Sequence, residues 1–318
     1  MALSMGLGRY PLKAVPPTRA GPLRRPVLRG NVGGLGHQMI TVALINQKGG
    51  VGKTTTAMNL AAALAEHGQE TLLIDLDPQA NLTAHAGIEL ADGDVSVYEV
   101  LLGESTLALA RRTTSEKRLT IVPASLDLSA AELELGSVEG KETRLLEAIR
   151  TFVAEAGDGA PTWCVIDCPP SLGLLSLNAL SAAQRVMVAM QTEFFALQGL
   201  AKLMEVIDLV RKYLNPDLVL DGIVPCKVDM RPKLTQEVLV DLRMHFGDRM
   251  YQSIIRPNVK VAEAASHGRS VLSYASESNG AKDYRALASE FLKRIRYSTT
   301  TGKRAIRAPK GESTNTET

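Results

Sequence analysis

A glycine-rich segment with two lysines is the part of the sequence best suited to bind phosphate: Lys48-Gly49-Gly50-Val51-Gly52-Lys53-Thr54-Thr55. Glycines let the backbone curl around an anion. N–H groups at the start of a helix then point at the phosphate oxygens, where the helix dipole is also favourable. We expect Lys53 to reach the β- and γ-phosphates of a nucleotide and the Thr54 hydroxyl to bind Mg²⁺. The whole segment is therefore predicted to bind ATP, with Mg²⁺ as the second cofactor.

One position departs from the standard phosphate-loop pattern, which has a glycine five residues before the glycine at position 52. Gln47 occupies that place here, and an additional lysine, Lys48, follows it. The pairing of Lys48 with Lys53 marks the deviant phosphate loop (deviant Walker A) of one class of ATPases. A glycine-rich turn without a ligand is the alternative interpretation. We favour the phosphate loop because a predicted strand, the loop and a predicted helix follow in the required order.

Acidic residues follow two other predicted strands, at Asp75 and Asp77 and again at Asp167. Parallel strands finish at the same edge of a sheet, so these carboxylates are expected beside the phosphate loop. We assign Asp167 to holding Mg²⁺ through water, Asp77 to orienting the attacking water, and Asp75 to the outer layer of groups around the metal. For each of the residues at 75 and 77 a turn or helix-capping role is the alternative, since such residues are common at strand ends.

Apolar runs and helical patterns alternate along the chain, which is typical of βαβ units. Strands are predicted at 39–46, 71–76, 119–123, 163–167, 185–190, 219–224 and around 270–273. Helices are predicted at 54–67, 141–156, 198–213, 233–246 and 280–296. We therefore expect an α/β fold of the P-loop NTPase kind, a doubly wound and mostly parallel sheet with helices on both faces.

Composition sets the domain boundaries and the broad class of protein. Residues 39–298 are predicted to form a single ATPase domain, and residues 299–318 a disordered polar tail. Residues 1–38 hold six basic residues and no acidic one, and are rich in Pro and Gly. They are predicted to be a disordered leader, with a true start at Met39 as an alternative. Three cysteines indicate a reducing compartment and small buried side chains, not a disulfide framework.

Residues 39–296 resemble the ParA family of chromosome- and plasmid-partitioning ATPases, in its short Soj type. Four segments carry the resemblance: Asn46 to Thr55, Asp75-Leu76-Asp77-Pro78-Gln79, Ile166 to Gly173, and Asn258-Val259-Lys260-Val261-Ala262-Glu263-Ala264. The family resemblance implies Mg²⁺-dependent hydrolysis of ATP to ADP and phosphate. It also implies a homodimer with ATP sandwiched between the subunits, non-specific binding of double-stranded DNA, and stimulation by a ParB-type centromere-binding protein. The expected place of action is the bacterial cytoplasm, on the nucleoid.

The resemblance assigns further roles to single residues. The lysine matching Lys48 crosses the dimer interface to the partner's phosphates, and Arg231 and Lys260 match surface residues that bind DNA. Pro257 and Asn258 match a segment near the adenine, although the family order Ile-Pro-Arg-Asn reads Ile255-Arg256-Pro257-Asn258 here.

A membrane-cycling, division-site-positioning ATPase of the same class is the alternative function. It is disfavoured because the basic tail has almost no apolar face, and no membrane partner is therefore expected.

Overall fold

A seven-stranded sheet organises the computed structural model, which describes residues 39–192 and 196–305. Its strands are β1 (Ile40–Ile45), β2 (Thr71–Asp75), β3 (Arg112–Thr113), β4 (Leu119–Val122), β5 (Trp163–Asp167), β6 (Arg185–Gln191) and β7 (Val219–Cys226). The strands lie in the order β3-β4-β2-β5-β1-β6-β7, and every neighbouring pair is parallel except β3 with β4. The central strands are short apolar runs because both faces of a parallel sheet are covered.

Helices cover both faces of the sheet. They are α1 (Lys53–Glu66), α2 (Asn81–His85), α3 (Val97–Leu102), α4 (Leu107–Ala110), α5 (Leu128–Glu134), α6 (Arg144–Ala156), α7 (Leu174–Ala182), α8 (Ala196–Tyr213), α9 (Lys233–Phe246), α10 (Val259–Ser266), α11 (Val271–Tyr274) and α12 (Asn279–Ala305). Alternate residues of β1 serve two cores: Val42 and Leu44 pack towards α1 and α12, whereas Ala43 and Ile45 pack towards α6, α7 and α8. The predicted fold class is confirmed.

The predicted strand around 270–273 is wrong, because this segment is helix α11. Ser270 caps the helix, its hydroxyl accepting a hydrogen bond from the Ser273 N–H at 3.2 Å. Val271 and Leu272 are buried, and the Val271 N–H donates to the side chain of Asn59 in α1 at 2.8 Å. Four residues are too few to show a helical or strand period, so only the capping serine could have indicated a helix.

Helix α12 continues to Ala305, past the predicted boundary at residue 298 and into the predicted tail. The leader at 1–38 and the last residues, 306–318, lie outside the described part of the chain.

All three cysteines are buried and unpaired, in agreement with the sequence analysis. Between residues 39 and 305, outside the gap at 193–195, no helix has the length and apolar character needed to cross a membrane.

Candidate nucleotide-binding site

The loop between β1 and α1 has the backbone form that its glycines predict. Gly50 and Gly52 adopt left-handed conformations, with φ of +73° and +99°, which favour glycine because it has no Cβ. Helix α1 starts directly after Gly52, whose carbonyl accepts the Thr56 N–H at 2.9 Å. The first turn of α1 contains no acidic side chain. The N–H groups and the positive end of the helix dipole are therefore available for an anion.

Asn46 anchors the beginning of the loop. Its side-chain carbonyl accepts the N–H of Lys48 at 2.9 Å, and its amide group donates to the backbone carbonyl of Ala189 in β6 at 2.6 Å. The loop is thereby tied to the neighbouring strand before the glycines begin. Lys48 is exposed, whereas Lys53 in the first turn of α1 is buried, with 6% of its surface accessible. The two lysines of the motif thus differ sharply in environment.

Two strands bring their carboxylates together at the same edge of the sheet, as expected. Asp75 ends β2 and Asp167 ends β5, and the two residues are register partners in the parallel ladder. Both are completely buried, and Asp77 is nearly so. Burial raises the pKa of Asp75 to about 6, although hydrogen bonds from Thr83 act to lower it. Burial and then the charge of Asp75 raise the pKa of Asp167 well above its usual range.

The carboxylate of Asp75 holds the turn that follows β2. One oxygen accepts the Asp77 N–H at 3.1 Å, and the other accepts the N–H and the hydroxyl of Thr83 at 2.9 and 2.8 Å. The Thr83 hydroxyl in turn accepts the N–H of Ala124 at 2.9 Å. This turn ends the strand at Asp75 and places Asp77 beyond it. The turn-forming alternative thus describes the contacts of Asp75, and a role beside the metal stays a prediction.

Asp77 is held by its own turn. A carboxylate oxygen accepts the Gln79 N–H at 3.0 Å, and the backbone carbonyl accepts the Ala80 N–H at 2.8 Å. The side chain therefore has a fixed direction, which a residue that orients a water molecule needs. Its position next to Asp75 and Asp167 at the loop edge agrees with the predicted role, which itself stays a prediction.

Asp167 is the residue that the sequence predicts to hold Mg²⁺ through water, and this role stays a prediction. Neither carboxylate oxygen makes a hydrogen bond of normal length with the described residues, although both oxygens are buried and the Thr54 hydroxyl lies nearby. The Thr54 hydroxyl and the Lys53 ammonium act to lower the pKa of Asp167, but the rise that burial causes is larger than their combined effect. The described residues contain no cluster of three or more His, Cys, Asp or Glu side chains suited to a metal. Mg²⁺ requires none, because it keeps several waters and binds one or two protein ligands together with phosphate.

The segment before α10 lies beside the end of β7. The Ile255 N–H donates to the carbonyl of Pro225, and the Ile255 carbonyl accepts the N–H of Val228, each at 2.9 Å. Pro257 is exposed, and the side chain of Asn258 caps α10 by accepting the Lys260 N–H at 2.9 Å. Contact of these residues with adenine remains a prediction.

The reversed order of Arg256 and Pro257 has a structural account. The Arg256 guanidinium makes a two-pronged contact with Asp283 in α12, with a shortest distance of 2.6 Å. The Arg256 N–H donates to the same carboxylate at 3.0 Å. Arginine at this position therefore fastens the segment to α12. Sequence reasoning missed this contact, since nothing local links residues 27 positions apart.

Arg231 and Lys260 both lie on the surface, and each is paired with an acid close in sequence. The Arg231 guanidinium lies 2.6 Å from Asp229, and the Lys260 ammonium lies 2.7 Å from Glu263. Arg231 lowers the pKa of Asp229 to about 2, so that this pair is charged at neutral pH. A phosphate would have to displace these acids or share the cations with them.

Comparison with known proteins decides the family. Residues 39–220 match the family model described as an AAA domain. A chromosome partitioning protein ParA of Caulobacter vibrioides is 45% identical over 255 residues, which cover 80% of this chain and 94% of the relative. The sporulation initiation inhibitor protein Soj of Bacillus subtilis is 41% identical over 249 residues, or 78% and 96% of the two chains. The chain belongs to the ParA/Soj family of partitioning ATPases.

Solved structures of similar proteins support the fold and the predicted nucleotide. A Mycobacterium smegmatis protein, described as cobyrinic acid a,c-diamide synthase with a bound ATP analog and magnesium, is 37% identical with a TM-score of 0.67. The match covers 81% of this chain and 96% of that one. The septum site-determining protein MinD of Pyrococcus horikoshii, complexed with Mg-ADP, has a TM-score of 0.64 at 24% identity and supports the fold alone. The predicted ATPase activity is confirmed, and so is the choice of ATP and Mg²⁺ as cofactors.

The pKa of Asp75 predicts a pH dependence of stability in the nucleotide-free protein. Folding raises this pKa from 3.8 to about 6, so the folded chain keeps a proton that the unfolded chain has lost between these values. The free energy of unfolding should therefore fall as the pH rises from about 4 to about 6, by up to about 3 kcal/mol from this group. Urea unfolding in EDTA at several pH values measures this change.

Asp75→Asn is the matched variant for this measurement. The variant side chain cannot ionise, so the fall in stability over this pH range should lose the share that comes from Asp75, while the buried Asp167, whose pKa is also raised, keeps its own share. An equal fall in both proteins would show that other groups cause it.

Proposed function

We propose that this chain is an ATP-dependent, dimerising and DNA-binding ATPase that segregates copies of a chromosome or plasmid. The observation that carries the proposal is the contrast between the two lysines of the phosphate loop. Lys53 is buried near Asp167, where it would bind the nucleotide of its own subunit, whereas Lys48 is exposed. An exposed cation at this place fits contact with a nucleotide held by a second copy of the chain.

Within one subunit the residues have separate tasks. The N–H groups of the loop and the Lys53 ammonium bind the phosphates, while Thr54 and Asp167 would hold Mg²⁺. When bound, Mg²⁺ offsets the negative charge of the phosphates. Asp77 orients a water molecule for attack on the γ-phosphorus, and the bond from that phosphorus to the oxygen bridging the β-phosphate then breaks. A lysine reaching in from the partner copy resembles an arginine finger, a contact worth ~10³–10⁵ in rate.

DNA binding is proposed to follow from dimerisation. Arg231 and Lys260 are exposed, and contacts with phosphates alone are sufficient for binding without sequence preference. We propose that a ParB-type protein bound at a centromere-like site stimulates hydrolysis and so releases the dimer from DNA. The proposed location is the cytoplasm, on the nucleoid.

The experiment that tests this proposal is binding of the full chain to a non-specific DNA duplex with ATP, with ADP and without nucleotide. Binding should require ATP and should coincide with dimer formation by light scattering. Tight binding by the monomer, or equal binding in all three conditions, would contradict the proposal.

Asp77→Ala should trap the ATP-bound dimer on DNA. Removal of the carboxylate takes away the group that orients water, while the residues that bind phosphate remain. ATP turnover should fall by at least about tenfold, with affinity for ATP retained and release from DNA slowed. Asp92→Ala, which removes an exposed acid from a loop, is the control and should behave as wild type. Normal turnover by the Asp77 variant would refute the assignment.

Arg231→Gln and Lys260→Gln should each weaken DNA binding for all sequences alike. Each lost phosphate contact should reduce the slope of log affinity against log salt concentration by about 0.9. Asp229→Asn is the informative counterpart, because it removes the acid that pairs with Arg231 and should strengthen binding. Fluorescence anisotropy over a range of salt concentrations measures the slopes, and unchanged slopes would show that these residues do not touch DNA.

A further inference from the structure

Lys227 is brought to the phosphate loop from a distant part of the chain. It follows β7 directly, and its ammonium donates a hydrogen bond to the backbone carbonyl of Gly50 at 2.6 Å. The two residues are 177 positions apart, and no motif singled out Lys227. This contact places a cation from a distant part of the chain at the middle of the phosphate loop.

The position of Lys227 is fixed on both sides. Before it, Cys226 is buried against the start of α1, with its sulfur 3.6 Å from the Thr56 hydroxyl. After it, the Val228 N–H donates to the carbonyl of Ile255 at 2.9 Å. Lys227 itself has a left-handed backbone with φ of +52°, a conformation that side chains other than glycine rarely adopt. A lysine in this backbone conformation costs stability that a glycine would not cost, and the contact of its ammonium with Gly50 indicates that the side chain is functional.

The geometry of the peptide bond indicates what the contact between Lys227 and Gly50 does. In a trans peptide the carbonyl of one residue and the N–H of the next point in opposite directions. Lys227 draws the Gly50 carbonyl to its own side, and this directs the Val51 N–H to the other side. Gly50 has a left-handed backbone and no Cβ, so its own conformational preference does not fix the orientation of this peptide. We propose that Lys227 is a positioning residue that fixes the Gly50–Val51 peptide with its N–H directed at the nucleotide phosphates.

The role of Lys227 rests on the proposed nucleotide site, but it concerns the affinity for nucleotide and not the chemical step. Loss of the Lys227 ammonium should weaken binding of both Mg-ADP and Mg-ATP by about fivefold, or about 1 kcal/mol at 1.4 kcal/mol per tenfold. The value of KM should rise by a similar factor, whereas kcat at saturating ATP should stay close to that of the wild type. A group that took part in the chemical step would lower kcat instead.

Three substitutions and one control separate positioning from general stability. Lys227→Gly removes the ammonium and relieves the left-handed strain, so affinity should fall while the midpoint of thermal unfolding does not. Lys227→Met should lose the same affinity, and Lys227→Arg should recover most of it. The control is Lys117→Met, which removes an exposed lysine before β4 at the opposite edge of the sheet.

Titration calorimetry with Mg-ADP and Mg-ATP gives the affinities, and the amide resonance of Val51 in the nucleotide-free protein should move in the glycine and methionine variants. Wild-type affinity in both of these variants, or an equal loss in the Lys117 control, would overturn the inference. A wild-type chain that binds no nucleotide would instead overturn the proposed function.

Discussion

Two carboxylates, Asp75 and Asp167, are buried side by side at the ends of β2 and β5, and the site is built around this constraint. Burial makes each negative charge costly, and the nearness of the two adds repulsion in a medium of low dielectric constant. The two carboxylates differ in their hydrogen bonds. Asp75 receives three hydrogen bonds from its own turn, whereas the oxygens of Asp167 make no hydrogen bond of normal length with the described residues. A buried carboxylate without a hydrogen-bond partner is stabilised by a cation, and we propose Mg²⁺ as the cation at Asp167.

The surrounding elements follow from this division. The hydrogen bonds that Thr83 donates to Asp75 hold α2 against the end of β2, and the bond that the Asp77 N–H donates to Asp75 holds the backbone of Asp77. On the other side of the sheet, Asn46 ties the beginning of the loop to β6. The site is thus assembled from strand ends and short turns whose backbone groups are already paired. Such a frame lets binding energy go to the nucleotide and not to ordering the loop.

Sequence reasoning located the parts of the site whose chemistry is local. The glycines of the loop indicated a backbone that curls around an anion, and the ends of apolar strands indicated that Asp77 and Asp167 would lie beside the loop. It could not give contacts that depend on the folded chain, such as Arg256 with Asp283 or Lys227 with Gly50. Pairs of this kind carry no periodic or capping pattern. The strand predicted around 270–273 was wrong because four residues are too few to show a period, and the hydrogen bond from the Ser273 N–H to the Ser270 hydroxyl caps a helix there.

We propose that the Asp167 carboxylate holds, through water, the magnesium ion that accompanies ATP. The most direct measurement is ATP affinity with Mg²⁺ and with EDTA, in the wild type and in Asp167→Asn. The account predicts that Mg²⁺ strengthens ATP binding in the wild type, and that most of this gain is absent in the variant. The variant should bind metal-free ATP at least as well as the wild type, because asparagine cannot place a negative charge beside the phosphates. A variant that keeps the full gain from Mg²⁺ would contradict the account.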